Sequence, residues 1–157
     1  MKEKRILRGI DLINKYKDIP EPKVLWNGII EGSSGLITGV GKTGKTTFAE
    51  NLAIAFATGK EEFFGFKLDG KPRRVLFINL EEKSFRIVRR NKKMITSLSK
   101  EGFVNFTKNY FLGREDFPEY LIEEKDWSTI RNYILEVKPE IVFLDSLTHM
   151  CIGEIEK

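Results

Sequence analysis

Gly39-Val40-Gly41-Lys42-Thr43-Gly44-Lys45-Thr46 is the stretch from which the rest of the chain is read. Its spacing, Gly, four residues and then Gly-Lys-Thr, is that of a loop that cradles phosphate. Glycines let such a backbone curl until successive N–H groups point at one anion. In that arrangement Lys45 reaches the β- and γ-phosphates of a nucleotide, and the Thr46 hydroxyl takes a place on Mg2+. These eight residues, with Thr47 beside them, are the expected nucleotide-contacting set.

The flanking sequence fits the motif. Leu36-Ile37-Thr38 reads as the end of a buried strand. Phe48, Leu52 and Phe56 follow at helical spacing, and Ala49, Ala53, Ala55 and Ala57 fill the turns, which predicts a packed helix ending near Gly59. Strand, Gly-rich turn and helix in that order place a helix N-terminus, with its free N–H groups, under the phosphates.

Two further apolar runs predict strands. Val75-Leu76-Phe77-Ile78-Asn79-Leu80 and Ile141-Val142-Phe143-Leu144 both read as fully buried, the pattern of a parallel sheet covered on two faces. Asp145 ends the second run, which puts a carboxylate at the carboxyl edge of the sheet, where it can hold Mg2+ directly or through water. Glu81 and Glu82 end the first run. A carboxylate there can polarise an attacking water. Glu81, which directly follows the strand, is the favoured candidate of the two.

Around this centre, residues 1–22 read as an N-terminal helix and linker, and 23–157 as the nucleotide-binding core. Ile6, Leu7, Ile10, Ile13 and Tyr16 form the helix face, and Pro20 and Pro22 end it. Residues 24–26 and 29–30 read as a short strand pair or an extended approach, and 63–72 as a loop or small hairpin. Residues 84–99 are expected to be a basic helix, 104–112 one or two weaker strands, and 113–124 acidic, irregular and exposed. Trp127, Ile130, Ile134 and Val137 mark a last helix, stopped by Pro139. Strands alternating with helices imply an α/β fold with a mostly parallel sheet flanked by helices.

Composition bounds the function. The chain has 157 residues and a net charge of +4, from 27 basic and 23 acidic residues. That is one domain, too mildly basic to imply nucleic acid from charge alone. Cys151 is the single cysteine and His149 the single histidine. No internal disulfide, Cys/His zinc site or Ser-His-Asp triad is expected, and the lone thiol fits a reducing cytoplasm. No run has the length of a membrane helix.

Several residues carry secondary expectations. Arg86, Arg89, Arg90 and Lys93 share one helix face, suited to DNA phosphates, an acidic partner or a neighbour's nucleotide, or simply to solvent. His149 is a candidate γ-phosphate sensor or a surface residue. Ser146 is suited to the metal shell or to capping the next turn. Phe63, Phe64 and Phe66 are candidates for stacking on adenine or for the core.

The phosphate loop, the Val75 run ending in Glu81 and the Ile141 run ending in Asp145 together resemble the RecA-like P-loop ATPases. Within them, Lys-Thr-Gly-Lys-Thr in the loop, Phe63-Phe64-Gly65, and Trp26-Asn27-Gly28-Ile29-Ile30 ahead of the loop resemble the RepA-type and DnaB-type branch, with its AAA-type, replicative helicase-like ATPases. The resemblance runs from about residue 20 to the end. It implies Lys45 and Thr46 as phosphate and Mg2+ ligands, Glu81 as the water-activating carboxylate and Asp145 as the second Mg2+ residue. It also implies ATP hydrolysis to ADP in DNA replication, recombination or repair, and a homo-oligomeric ring or filament in which a neighbour lends an arginine. An ATP-dependent switch with slow turnover and a small-molecule phosphotransferase are the alternatives. Such domains continue well beyond the residue that Asp145 matches, so the chain is expected to be the N-terminal part of a longer domain.

Overall fold

The computed structural model describes residues 6–113, 120–121 and 123–150. It divides into two compact units, Met1–Ser34 and Gly35–Lys157.

In the first unit, helix α1 (Gly9–Tyr16) buries none of its residues. Arg8 pairs with Asp11 at its start, with Nε donating to Oδ2 at 2.8 Å. Strands β1 (Val24–Trp26) and β2 (Ile29–Ile30) form an antiparallel hairpin. Its two turn residues, Asn27 and Gly28, both have positive φ (40° and 80°), the geometry that matches strand twist in a two-residue hairpin.

The second unit is built on helix α2 (Lys45–Thr58) and strand β5 (Val75–Asn79). Between them lies a two-residue hairpin, β3 (Glu62–Phe63) and β4 (Phe66–Lys67), turning at Phe64-Gly65. After β5 come α3 (Ser84–Ile95), α4 (Lys100–Asn109), β6 (Tyr110–Gly113), α5 (Glu124–Val137) and β7 (Ile141–Asp145). The sheet order is β6-β5-β7, all parallel. Parallel neighbours require crossovers, which the intervening helices supply.

Every residue of β5 is buried because it is the central strand with helices on both faces. Leu76 and Ile78, with Leu80 just beyond, pack with Leu121 ahead of α5 and with Ile130 of α5, and Tyr133 and Val137 close the edge of that cluster. The alternate residues point to the opposite face. There Phe77 stacks on Phe143 of β7, with ring centroids 5.6 Å apart, and α2 covers the strand. Helix α2 is buried on nearly every side from Ala49 to Thr58. Four alanines keep it slim enough to lie between the sheet and α4.

The structure corrects five expectations. Residues 104–112 are mostly helix, although Phe103, Val104, Phe106 and Thr107 favour strands. Ser99 caps α4, its Oγ accepting from the Gly102 N–H at 3.0 Å, and Asn105 and Asn109 donate to the Thr58 and Ala57 carbonyls at the end of α2. Capping and tertiary contacts outweigh local propensity here. The same cap shortens the preceding helix, which ends at Ile95. Strand β7 is only half buried, with Val142 and Leu144 exposed. Among the described residues it pairs with β5 alone, at the edge of the three-stranded sheet. Leu36-Ile37-Thr38 joins no ladder and is coil, with Leu36 68% and Ile37 43% exposed. An extended segment without a ladder partner lacks the hydrogen bonds that define a strand. Of the segment 113–124, residues 114–119 and 122 lie outside the described residues, but Leu121 is buried in the core rather than exposed.

Gly59 ends α2 in the left-handed region (φ 72°), and Lys60 N–H returns to the Ala55 carbonyl at 3.0 Å, a Schellman-type stop. A Cβ at this position would lie 2.7 Å from Pro72 Cδ. Gly59→Ala should therefore destabilise the fold by more than the ~1–2 kcal/mol of left-handed strain alone. A urea midpoint within error of the wild type would contradict this account of the turn.

Candidate functional site

The phosphate-type loop closes on itself through its own side chains. Lys42 (φ 65°) and Gly44 (φ 88°) adopt left-handed backbone conformations that reverse the chain twice within three residues. The Thr43 hydroxyl donates to the Val40 carbonyl at 2.8 Å. Lys45 Nζ donates to the carbonyls of Gly39 (3.0 Å) and Val40 (2.9 Å), which sets its positive charge across the loop. Gly44 is the N-cap of α2 and no side chain caps that end. The first N–H groups of the helix, carried by Lys45, Thr46 and Thr47, face the loop with the positive end of the helix dipole. This is a ready-made anion site.

The carboxyl edge of the sheet supplies the acids. The register pairs Asn79 of β5 with Asp145 of β7. Asn79 Nδ2 donates to Asp145 Oδ2 at 3.1 Å, while its Oδ1 accepts from the N–H groups of Glu81 (3.1 Å) and Glu82 (2.7 Å). One buried amide therefore fixes both the Asp145 carboxylate and the turn that carries the two glutamates. Burial pushes the Asp145 carboxyl above the usual carboxylate range; hydrogen bonding with Thr46 pulls it back in part, and the nearby Glu81 and Glu82 raise it further. Thr46, Glu81 and Glu82 all lie near Asp145 at the carboxyl edge of the sheet. The Asp145–Ser146 peptide bond is cis.

These oxygen donors suit Mg2+. Among the described residues no group of three or more His, Cys, Asp or Glu side chains is arranged to hold a metal by itself. A hydroxyl and one or two carboxylates make a partial shell, the kind that Mg2+ completes with phosphate oxygens and water.

The two glutamates have different surroundings. Glu82 receives two bonds from Arg90, Nη1 donating to Oε1 at 3.1 Å and Nη2 to Oε2. Arg90 also grips Glu50 of α2, Nη2 donating to Oε1 at 2.8 Å and Nε to Oε2. The Glu50 side chain is fully buried. Burial pushes its carboxyl up against the pull of Arg90, and pairing with two carboxylates holds Arg90 firmly charged. The Glu81 carboxylate is exposed and makes no protein hydrogen bond among the described residues.

Sequence reasoning missed Glu50 and Asn79 and placed Arg90 on an open basic face. The available signals were an acid inside an otherwise apolar helix and an amide ending an apolar strand, since buried polar groups must find partners. Ser146 caps the following 3-10 turn, its carbonyl accepting from the His149 N–H at 3.2 Å, and its Oγ lies 2.9 Å from His149 Nδ1. His149 stacks on Tyr120. Phe63 and Phe64 cluster with Phe48 of α2, with centroids 5.0–5.3 Å apart.

Removing Arg90 alone would leave Glu50 buried and unpaired. Arg90→Met should cost roughly 3–5 kcal/mol, and Arg90→Met combined with Glu50→Gln should recover much of that. Urea titrations of the single and double variants measure the difference. Simple additivity would show that the pair is not coupled.

No helix among the described residues is long and apolar enough to cross a membrane. No curated protein and no solved structure matches the chain. A family match, however, covers almost all of it: residues 7–157 match the AAA domain. With the uncapped helix end, the loop lysine and the acids at the sheet edge already in place, the chain belongs to the AAA domain family of P-loop ATPases, on a nucleotide-binding α/β fold.

Proposed function

We propose that this chain binds Mg·ATP at residues 39–46 and hydrolyses it to ADP and phosphate, as a RecA-like ATPase of the RepA- and DnaB-type branch. The observation that supports this most is the meeting of Thr46, Asp145 and Glu81 at the N-terminus of α2. In this reading Lys45 exchanges its bonds to the Gly39 and Val40 carbonyls for β- and γ-phosphate oxygens. The backbone N–H groups from Val40 to Thr47 line the phosphates, with Lys42 and Thr43 shaping the curve. Thr46 and Asp145 would hold Mg2+, which when bound would neutralise charge on the phosphate oxygens. Glu81 orients a water for in-line attack on the γ-phosphorus. The water proton passes to Glu81 as the bond to the ADP oxygen breaks. Glu82 is unsuited to that role because Arg90 occupies its carboxylate.

By resemblance to that branch, the setting is DNA replication, recombination or repair in the cytoplasm. The working form is a homo-oligomeric ring or filament in which a neighbouring copy lends an arginine to the nucleotide.

Three variants test the site. Mg·ATP at a hundredfold excess over its dissociation constant should stabilise the wild type by about 2.7 kcal/mol, and Lys45→Ala should abolish most of the resulting melting shift. Glu81→Gln should keep the shift while phosphate release falls by roughly 10²–10⁴-fold; unchanged turnover would remove Glu81 from the chemistry.

Asp145 carries the opposite signature. Its folded-state carboxyl binds a proton more tightly than in the unfolded chain. Its stability contribution therefore grows as pH falls through the raised folded value and is lost above the carboxylate range. Asp145→Asn should raise the ligand-free melting midpoint at neutral pH, flatten that pH dependence and lose the Mg2+-dependent part of the ATP shift. An unchanged Mg2+ dependence would exclude Asp145 from the metal shell.

A further inference from the structure

Strand β5 ends its apolar run on an amide, and Asn79 is only 1% exposed. A buried amide needs partners for both of its ends. The oxygen end takes the N–H groups of Glu81 and Glu82. The nitrogen end donates to Asp145 Oδ2 at 3.1 Å, across the register pair that joins the ends of β5 and β7. Among side chains of this length only an amide does both. A carboxylate at this position would accept the two N–H groups but, when ionised, has no hydrogen for Asp145.

The Asp145 carboxylate is thus held by Asn79 at Oδ2 and hydrogen-bonded to Thr46. To turn both oxygens toward one ion it must swing away from Asn79. The Nδ2 donor, shut off from solvent, would then be left unpaired, which is costly. The amide therefore favours a carboxylate that presents one oxygen. Divalent cations differ in what they ask of a carboxylate. Mg2+ keeps a strict octahedron and is satisfied by one oxygen, with phosphate oxygens and water completing the shell. Ca2+ is larger, takes more ligands and commonly draws on both oxygens of a carboxylate.

We propose that Asn79 is a positioning residue that makes this site select Mg2+ over Ca2+, by holding Asp145 to a single metal-facing oxygen. The proposal rests on the reading of Thr46 and Asp145 as the residues that hold Mg2+. It does not involve Glu81, whose turn is held by the other end of the amide. An amide that only joined the two strand ends would, on removal, weaken nucleotide binding alike with either ion or with none.

The test is isothermal titration calorimetry of the full chain with the non-hydrolysable ATP analogue AMP-PNP, in excess Mg2+, in excess Ca2+ and in EDTA. Asn79→Leu keeps the volume and removes both polar ends. Asn79→Asp keeps an acceptor for the Glu81 and Glu82 N–H groups and removes the donor to Asp145. The wild type should bind the analogue more tightly with Mg2+ than with Ca2+. In both variants the ratio of the Ca2+ to the Mg2+ dissociation constant should fall roughly tenfold, chiefly through weaker binding with Mg2+, while the affinity in EDTA stays at the wild-type value. If Asn79→Leu does not melt cooperatively, Asn79→Asp decides alone.

An unchanged ratio in Asn79→Asp overturns the proposal, because the donor is then not what sets the preference. Equal weakening in Mg2+, Ca2+ and EDTA also overturns it and leaves Asn79 a structural tie. So does a wild type that prefers neither ion. A wild type that binds equally well in Mg2+ and in EDTA removes the metal reading of Thr46 and Asp145, and the proposal with it. No binding under any of the three conditions overturns the nucleotide reading itself.

Discussion

The alignment of β7 against β5 is the constraint on which the site depends. It is fixed at both ends by side chains. At the start of the strands, Glu140 accepts from Arg73 Nη1 (3.0 Å) and from the Arg74 N–H (3.0 Å), and its own N–H returns to the Arg74 carbonyl. At the far end, Asn79 donates to Asp145. A slip of one residue would send Asp145 to the other face, because side chains alternate along a strand. It would then point away from Thr46, and Asn79 would lose its partner. The metal-type carboxylate is thus positioned by the pairing of the sheet.

Helix α2 presents a different problem. A helix buried on nearly all sides cannot rely on an amphipathic stripe for its orientation. Polar contacts do that work at three points: the loop at its N-terminus, the Asn105 and Asn109 amides on its last carbonyls, and Glu50 held by Arg90. Glu50 is costly to bury, so its bond to Arg90 restricts where α3 can sit relative to α2. The same guanidinium fixes Glu82, which ties the phosphate-loop helix to the turn after β5.

What could be read in the sequence was what rests on local spacing. The loop, the buried run of β5, the stop at Gly59 and the acids at the strand ends are all set by short-range patterns, and they stand where the pattern puts them. What could not be read depends on partners far along the chain. Phe103, Val104, Phe106 and Thr107 favour strands by propensity, and only the Ser99 cap and the Asn contacts to α2 make that segment a helix. Val142 and Leu144 read as buried because the apolar run carries no record of which strand lies at the edge. Arg90 read as one more surface cation because the acid that claims it, Glu50, lies forty residues earlier.

The charges at the sheet edge explain why two adjacent glutamates need not be equivalent. Glu50, Glu81, Glu82 and Asp145 lie close enough to interact, and left unpaired they would repel one another. Arg90 takes up two of them, each in a bidentate pair, which engages four of its five N–H donors. Asp145 and Glu81 remain, one half-buried and tied to Asn79 and Thr46, the other exposed. A half-buried carboxylate that burial holds above the usual carboxylate range gains more from a divalent cation than a fully exposed one, because the cation offsets the desolvation of its charge. An exposed carboxylate free of protein partners can instead meet a water molecule. The division of labour proposed for the two follows from which acids the arginine has already neutralised.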